Sequence, residues 1–181
     1  GKELLRPVGE RNNFYYLGVT TLLGENIWSN KKIESLEDVK GLKIRTAGLT
    51  AESLSKFGAS PVSMASEDIY TGMQRGTIDA FEFVSTPVHY GFGWHEVTKY
   101  VINPKFTVGG ASDWIVNLDS WNALPDDLKE IVDNSLRAAS DDFFVQSRLE
   151  EGEIVKKLEE AGVEFLTWPE GDIEKFEKAR Y

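Results

Sequence analysis

The sequence predicts an α/β fold. Short β-favouring segments alternate with short helical segments between residues 35 and 117, a pattern that indicates βαβ units. A dense apolar run at residues 14–23 is typical of a well-buried strand. Residues 125–161 repeat apolar side chains at helical spacing and contain a single glycine, Gly152. This stretch predicts one long helix, with Gly152 as the position where it would break.

The first helical segment carries signals at both of its ends. Ser35 precedes it as an N-cap, and Asp38 follows three residues later, which is close to the pattern of a capping box. Gly41 suits the left-handed residue that ends a helix, and residues 42–46 then alternate as a strand. These signals predict a short helix followed directly by a strand.

The same alternation continues along the chain, with Gly58 and Gly76 at predicted helix ends. The further predicted helices are residues 50–57, 66–75 and 172–180. The further predicted strands are residues 61–64, 77–84, 99–102, 113–117 and 163–167. No linker rich in glycine, proline or serine and no repeat of fixed period interrupts these elements.

The composition excludes several classes of function. The formal net charge of −10 argues against nucleic acid as a partner, because phosphate binding requires clustered lysine and arginine. Without cysteine there is no thiolate catalysis, disulfide or cysteine-based zinc site. No stretch approaches the roughly 20 apolar residues of a membrane span, and the first residues lack the apolar region of a signal peptide. The chain is therefore expected to be processed, truncated or never exported.

Arg45 is the leading candidate for ligand binding. It lies at the end of a short predicted strand, and a predicted strand-to-helix turn follows it. In open α/β sheets, ligands collect at the carboxyl ends of strands. A guanidinium at that position can hold a carboxylate with two parallel hydrogen bonds, which a lysine cannot reproduce. The alternative is a surface arginine that pairs with a nearby acid.

Glu82 and Phe83 form a second candidate pair. They end the predicted strand at residues 77–84, so the same rule places them at the same crevice. A carboxylate at Glu82 can bind a hard cation or accept a hydrogen bond from a ligand hydroxyl. The alternative, which the residues alone favour, is an acid that pairs with a lysine at the end of a strand.

A histidine-based metal site is the weaker hypothesis. His89 and His95, with Glu82 and Glu96, provide suitable ligand types. The two histidines are six residues apart, however, which does not place them on one helical face, and no HExxH motif is present. Solvated or core histidines are therefore the favoured interpretation.

Other motifs of enzymes and cofactor sites are missing from the sequence. It contains no GxGxxG, Walker or GxSxG motif, so nucleotide binding and hydrolase chemistry have no support. Aromatic residues can line a pocket, but in a segment this apolar we expect them in the core. The residues in question are Trp94, Phe106 and Trp114.

Five segments of the chain carry a resemblance to a known family. They are SLEDVKGLKIRT at residues 35–46, FGASPV at 57–62, EDIY and QRGTID within 67–79, WNALPDDL at 121–128, and GV at 162–163. In order and in spacing, these segments resemble the solute-binding proteins of tripartite ATP-independent (TRAP) transporters. Each segment is short, but the resemblance as a whole covers about residues 14–168 of the chain. This order makes the resemblance fairly specific.

The resemblance implies one lobe of a two-lobed, periplasmic-binding-protein-like α/β fold with an inter-lobe strand and a long C-terminal helix. On this basis residues 1–34 are the inter-lobe strand and connection, 35–124 the ligand-binding lobe, and 125–181 the elements that pack across the lobes. The implied function is non-enzymatic, extracytoplasmic capture of a small organic carboxylate, namely a keto, hydroxy, dicarboxylic or sugar acid. The implied location is the periplasm, and the implied partners are the membrane permease subunits.

The resemblance also assigns roles to the candidate residues. Arg45 matches the arginine that pairs with the ligand carboxylate, and Glu82 and Phe83 match ligand-contacting positions. In one branch the glutamate helps to hold a sodium or calcium ion beside the ligand, and no other cofactor is implied. Phe83 replaces the tryptophan of that branch and the asparagine of sialic-acid binders, which disfavours a sialic acid ligand. Glu25 occupies the position of a second arginine found in some members.

Members of this family are about twice as long as the chain, within the usual size of a two-domain protein. The resemblance therefore implies that most of a first lobe lies before Gly1. In that case Tyr15, Tyr16 and Val19 would face the partner lobe, and the chain alone would expose apolar surface or self-associate.

Two other classes of function stay open at this point. The first is an α/β enzyme that acts on a carboxylated metabolite, with Arg45 as the anchor and Glu82 as the general base. It lacks a second catalytic partner at recognisable spacing. The second is an interaction domain whose ligand pocket is vestigial.

Overall fold

The computed structural model describes residues 2–103, 105 and 110–180 and has the α/β composition that the sequence predicts. The helices are α1 (Lys2–Arg11), α2 (Gly48–Lys56), α3 (Ile69–Arg75), α4 (Thr86–Gly91), α5 (Leu118–Asn122), α6 (Asp126–Glu160) and α7 (Glu170–Ala179). The strands are β1 (Phe14–Leu22), β2 (Ile27–Ser29), β3 (Lys43–Arg45), β4 (Ser60–Val62), β5 (Ala80–Phe81), β6 (Tyr100–Asn103), β7 (Gly110–Asn117) and β8 (Glu164–Thr167). Short 3₁₀ turns lie at Leu36–Val39, Ser66–Asp68 and Trp94–Val97.

The chain divides into two compact units, each made from two separate stretches of sequence. The first unit comprises residues 1–23 and 109–149, and the second comprises residues 24–108 and 150–181. Helix α6 begins in the first unit and ends in the second. The assignment of chain segments to an inter-lobe connection, a binding lobe and a C-terminal region stays a prediction.

The second unit is built on a six-stranded sheet in the order β4-β3-β5-β2-β6-β8. Strand β2 is antiparallel to both of its neighbours, whereas the other adjacent pairs are parallel. All strands except β2 therefore run in one direction, and their carboxyl ends share one edge of the sheet. The register sets Arg45 of β3 opposite Phe81 of β5, so the residues that follow these strands lie side by side at that edge.

Buried apolar side chains cover both faces of this sheet. Neighbouring residues of a strand point to opposite faces, and Ile27 and Trp28 of β2 accordingly belong to two different cores. The core that contains Ile27 includes Leu54 of α2 and Phe176 of α7. The core that contains Trp28 includes residues of α3 and the C-terminal part of α6, namely Ile69, Met73, Ile154 and Leu158. Packing on both faces holds the strand ends in place.

The first unit is built around the antiparallel pair β1 and β7. The Tyr16 hydroxyl of β1 donates to the Asp113 carboxylate at 2.8 Å, and Trp114 Nε1 of β7 donates to Thr20 Oγ1 at 2.7 Å. Trp114 is nonetheless 48% exposed, so the expectation of a core position is wrong for this residue. Its ring lies on one face of a two-stranded ribbon that, among the described residues, has no further strand beside it.

A core position was also expected for Trp94 and Phe106. Trp94 is buried in the second unit, as expected for a core residue. Phe106 lies outside the described residues. Burial of Trp94 agrees with its place in a segment dominated by apolar neighbours.

The β1 residues expected to face a partner lobe are not equivalent. Val19 is 46% exposed, but Tyr16 is buried within the first unit, and Tyr15 stacks on Trp121 with ring centroids 4.3 Å apart. Large apolar side chains of the first unit are exposed, in agreement with the expectation of exposed apolar surface: Trp114, Ile115, Ile131, Phe143 and Val145. Self-association through this surface stays a prediction.

Helix α6 continues through Gly152 without a break. Glycine inside a helix costs about 1 kcal/mol relative to alanine, and the buried side chains of Ile154 and Leu158 on the same helix offset this cost by packing in the second unit. Within the described residues no helix, α6 included, has the length and apolar character needed to cross a membrane.

Other elements differ from the prediction for local reasons. Strand β5 has only two residues, and before it the Asp79 carboxylate accepts from the Lys43 N–H at 2.9 Å and the Asp79 carbonyl accepts from the Asn30 N–H. Helix α1 contains Pro7, strand β2 has three residues, and helix α4 starts at a threonine followed by Pro87. Short elements and internal proline weaken the periodic signals, so these three elements were not predicted.

The predicted capping signals are present. The Asp38 carboxylate accepts from the Ser35 backbone N–H at 2.8 Å and from the Ser35 hydroxyl at 3.0 Å, which organises the 3₁₀ turn before β3. Gly41 and Gly76 adopt left-handed conformations, with φ of 78° and 70°. These turns set where strands β3 and β5 begin.

We expect the change Asp38→Ala to lower the free energy of unfolding by about 1 kcal/mol, since it leaves the Ser35 N–H without its acceptor. Urea denaturation of the variant measures this loss. Glu37→Ala removes an equally charged, exposed side chain from the same turn and is the control. An equal loss in both variants would contradict a specific role of Asp38.

Candidate functional site

Arg45 lies at the carboxyl edge of the six-stranded sheet, and its guanidinium is held by the backbone. The Nε–H donates to the Met64 carbonyl at 3.1 Å, and an Nη1–H donates to the Glu82 carbonyl at 2.9 Å. The Glu82 N–H in turn donates to the Arg45 carbonyl at 3.0 Å. These bonds join the ends of β3 and β5 and hold the long side chain in one orientation.

The anchored guanidinium keeps donors for a ligand. A guanidinium has five N–H groups in a planar fork, and the bonds to Met64 and Glu82 occupy two of them. Among the described residues, no acidic side chain forms an ion pair with Arg45. The alternative of a surface arginine paired with an acid is therefore not supported. The remaining Nη1 and Nη2 donors can bind a carboxylate with two parallel hydrogen bonds.

Glu82, whose backbone carbonyl accepts from Arg45, carries a buried side-chain carboxylate. Its side chain belongs to a residue only 6% exposed, and Oε1 accepts a hydrogen bond from the Thr46 hydroxyl at 2.8 Å. Thr46, at 4% exposure, is itself buried. Within the part of the chain that the structure describes, no lysine pairs with Glu82. Because Thr46 occupies one lone pair of Oε1, Oε2 is the oxygen most available to a cation or a ligand hydroxyl.

Phe83 forms an apolar wall next to the Arg45 guanidinium. Its ring centroid lies 5.0 Å from Arg45 Cζ, a cation–π contact, and the ring meets Trp94 in an edge-on arrangement at 5.8 Å. Phe83 is half-buried. The three residues selected from the sequence are thus neighbours in the structure, because β3 and β5 are adjacent and parallel.

Sequence reasoning missed Thr46, and it did not predict the contact of His89 with this region. Thr46 directly follows Arg45 in the sequence, so adjacency was its only signal. The His89 side chain is fully buried, and its Nε2 accepts a hydrogen bond from the Val84 N–H at 3.2 Å. Burial, and then the nearby Arg45 charge, lower the pKa of His89 to about 3. His89 is therefore neutral at physiological pH.

The histidine-based metal hypothesis receives no support. Among the described residues, no three histidine, aspartate or glutamate side chains gather as a metal site. His89 is enclosed by aromatic rings, while His95 stacks on Tyr90 with ring centroids 4.4 Å apart. The favoured interpretation of a core histidine is thus right for His89.

A groove lies at the opposite edge of the same sheet. This groove has a volume of about 630 Å³ and is lined by residues that precede β5 and β6 or follow β2. Tyr70, Asp79, Glu96 and Lys99 are among its lining residues. The amino ends of the parallel strands form this edge, whereas ligands of open α/β sheets collect at the carboxyl ends. The Arg45 edge is therefore the better candidate.

The sequence and the fold of the chain match known proteins. A family model described as "Bacterial extracellular solute-binding protein, family 7" (DctP) matches residues 1–180. The chain belongs to this family. This match confirms the resemblance to TRAP-type solute-binding proteins. It covers residues 1–180, whereas the resemblance seen in the sequence covers about residues 14–168.

Individual members of the family resemble the chain over most of its length. A monocarboxylate 2-oxoacid-binding periplasmic protein of Nostoc sp. is 28% identical over 155 residues, which are 85% of this chain and 43% of the relative. A TRAP periplasmic solute-binding protein from Colwellia psychrerythraea, solved with bound calcium and pyruvate, has a TM-score of 0.88 at 30% identity. A third, from Pseudoalteromonas atlantica with bound sodium and pyruvate, has a TM-score of 0.86 at 29% identity.

These comparisons confirm the predicted fold class, an α/β lobe of periplasmic-binding-protein type with a long C-terminal helix. Each of the two solved structures matches 99% of this chain but only 56% of its own length. The chain therefore spans about half the length of the relatives that it matches. The family consists of solute-binding proteins of transport systems, and its named relatives are periplasmic.

Proposed function

We propose that the chain is the carboxylate-binding portion of a periplasmic solute-binding protein that captures a small monocarboxylate, a 2-oxo or 2-hydroxy acid, for uptake. The observation that carries the proposal is the guanidinium of Arg45. Two backbone carbonyls hold it, its remaining donors are available, and the Phe83 ring lies 5.0 Å from Cζ. Preorganised donors bind a carboxylate without first losing side-chain entropy.

A monocarboxylate fits the charges of the site better than a dicarboxylate. Arg45 supplies one guanidinium, and the neighbouring Glu82 carboxylate would repel a second carboxylate of the ligand. By the family resemblance, Glu25 stands where some members have a second arginine, so a second guanidinium for a second ligand carboxylate is not expected there. Pyruvate bound to the Colwellia and Pseudoalteromonas proteins, and the 2-oxoacid named for the Nostoc protein, support this class of ligand.

We further propose that a sodium or calcium ion lies between Glu82 and the ligand. Calcium takes six to eight oxygen ligands, and among the described residues no group of three acidic or histidine side chains gathers around Glu82. Glu82 Oε2 would supply one protein oxygen, and the carboxylate and 2-oxo or 2-hydroxy oxygens of the ligand would supply others. The ion would also neutralise the repulsion between the Glu82 carboxylate and the ligand.

An enzymatic role is the less supported alternative. An enzyme that uses Glu82 as a general base requires a second group to donate or relay a proton. The nearby His89 does not provide one, because its Nε2 already accepts from the Val84 N–H and its ring is buried. The proposed function is therefore binding and release of an unchanged ligand.

The proposal also includes the location and the partners. Periplasmic relatives and the transport family support an extracytoplasmic location and delivery of the ligand to TRAP permease subunits. Self-association stays a separate prediction, tested by light scattering.

Isothermal titration with pyruvate, 2-oxobutyrate, lactate, malonate and sialic acid, each with and without calcium or sodium, tests the proposal. It uses the 181-residue chain and, in parallel, the complete product of its gene. We expect binding of the 2-oxo or 2-hydroxy monocarboxylates and recovery of the ligand chemically unchanged. Tighter binding of malonate or sialic acid, conversion of the ligand, or no binding to the complete product would overturn it.

We expect the change Glu82→Gln to abolish the dependence of pyruvate affinity on calcium, because an amide oxygen is a much weaker ligand than a carboxylate. Titration of the variant with and without the ion measures this effect. Asp79→Asn, at the opposite edge of the sheet, is the control and is expected to keep the dependence. A calcium effect of equal size in Glu82→Gln and the wild type would exclude Glu82 as the cation ligand.

A further inference from the structure

His89 makes a side-chain contact with the segment that carries Glu82 and Phe83. It lies on α4, and its Nε2 accepts a hydrogen bond from the Val84 N–H at 3.2 Å. The backbone N–H of His89 also donates to the Ser85 carbonyl at 3.1 Å, as the first turn of α4. The imidazole therefore closes a loop that begins directly after strand β5.

Aromatic packing fixes the orientation of the His89 ring. The ring lies edge-on to Trp28 at a centroid distance of 4.9 Å and contacts Phe81 at 5.3 Å and Trp94 at 5.1 Å. Phe83 lies nearly parallel to the imidazole, with centroids 6.5 Å apart and an interplanar angle of 18°. A ring enclosed in this way cannot turn its acceptor away from Val84 without displacing several side chains.

The hydrogen bond assigns the tautomer of His89. Nε2 accepts from the Val84 N–H, so in the neutral imidazole the proton is on Nδ1. His89 Nδ1 has no hydrogen-bond partner among the described residues. An apolar side chain of similar volume would fill the same space without burying this donor, so packing alone does not account for a histidine here.

The same contacts lead from His89 to the carboxylate site. The Val84 N–H held by His89 follows Phe83, whose ring lies 5.0 Å from Arg45 Cζ. The Glu82 carbonyl, two residues before Val84, accepts from Arg45 Nη1 at 2.9 Å. A change in the path of residues 82–84 would therefore move both the carbonyl that orients Arg45 and the ring beneath it.

We propose that His89 is a positioning residue of the carboxylate site, which through its Nε2 acceptor holds residues 82–85 in the conformation that orients Arg45 and Phe83. This inference rests on the proposed function, since it assigns His89 to that same site. His89 does not contact the ligand. It acts through the backbone N–H of Val84.

Two variants distinguish the hydrogen-bond acceptor of His89 from the packing of its ring. His89→Gln keeps a hydrogen-bond acceptor at about the reach of Nε2, and His89→Met fills a similar volume without one. The first readout is amide hydrogen exchange at Val84, measured by NMR without ligand. The second is the Kd for pyruvate in the presence of calcium.

We expect His89→Met to accelerate Val84 exchange and to raise the Kd for pyruvate by about tenfold each, the equivalent of one lost hydrogen bond. His89→Gln should stay within about threefold of the wild type in both readouts. Equal effects of the two variants, or unchanged Val84 exchange in His89→Met, would overturn the proposal in favour of packing alone.

The imidazole nitrogen shifts of the unmutated protein test the same inference without a variant that could fail to fold. They should show the proton on Nδ1 and a free electron pair on Nε2; the reverse tautomer would overturn the proposal. Failure of the proposed function has a different signature, since pyruvate would then not bind the wild type at all. In that event the tautomer and the Val84 exchange rates would still decide whether His89 holds residues 82–85.

Discussion

Replacement of Arg45 by alanine is expected to weaken pyruvate binding at least about 30-fold, equivalent to a loss of 2 kcal/mol or more. The variant loses both donors of the predicted carboxylate fork. Isothermal titration in the presence of calcium measures this effect on the complete gene product and on the chain.

Two further arginine variants control this result. Arg45→Lys keeps the positive charge but not the planar fork, and we expect it to lose about tenfold or more in affinity. Arg75→Ala removes an exposed arginine of α3 from the groove at the opposite edge and should leave the affinity unchanged. Affinity in Arg45→Ala equal to the wild type, with a similar urea midpoint, would remove Arg45 from the site.

Acidification is expected to destabilise the chain through His89. Burial lowers its pKa in the folded state to about 3, whereas the unfolded chain has the ordinary value of about 6.5. Below pH 6.5 the unfolded chain therefore binds a proton that the folded chain does not. The free energy of unfolding then falls as the pH is lowered through the window from about 6.5 to 3 and is unaffected by His89 above about pH 7.

The size of this effect follows from the width of the window. Each pH unit within it costs about 1.4 kcal/mol, so the full window amounts to about 5 kcal/mol, and the part between pH 6.5 and 5 to about 2 kcal/mol. Urea denaturation at pH 7.5, 6, 5.5 and 5 measures the slope where most carboxylates stay ionised.

The other histidine of the chain provides the matched control for this slope. His89→Gln removes the titrating group and should abolish the pH dependence, whereas His95→Gln should keep it. A slope that persists in His89→Gln would show that other groups account for the acid sensitivity.

Several features of the fold could be predicted from the sequence because they depend on local interactions. The capping pair Ser35 and Asp38 and the left-handed Gly41 act within one turn of chain, and all three are present as predicted. The long helix was predicted for the same reason, since apolar periodicity over residues 125–161 needs no knowledge of its partners.

The site was predictable in part, and the limit has a physical cause. Arg45 and Glu82 were selected because parallel strands bring their carboxyl ends to one edge, and the adjacency of β3 and β5 makes them neighbours. The bond from the Thr46 hydroxyl to Glu82, and the bond from the Val84 N–H to His89, depend on side-chain directions that no sequence pattern encodes.

The sequence by itself determined the fold class and the family. It also identified Arg45 as the candidate residue for binding the carboxylate of a ligand. Periodicity, caps and motif spacing are properties of neighbouring residues, so they are readable without coordinates. Only the tertiary structure decided that two stretches of chain combine in each compact unit and that β2 runs against its neighbours. It also decided that His89 is buried and neutral beside Arg45. These features arise from contacts between residues far apart in the chain, whose free energy depends on burial and geometry rather than on local sequence.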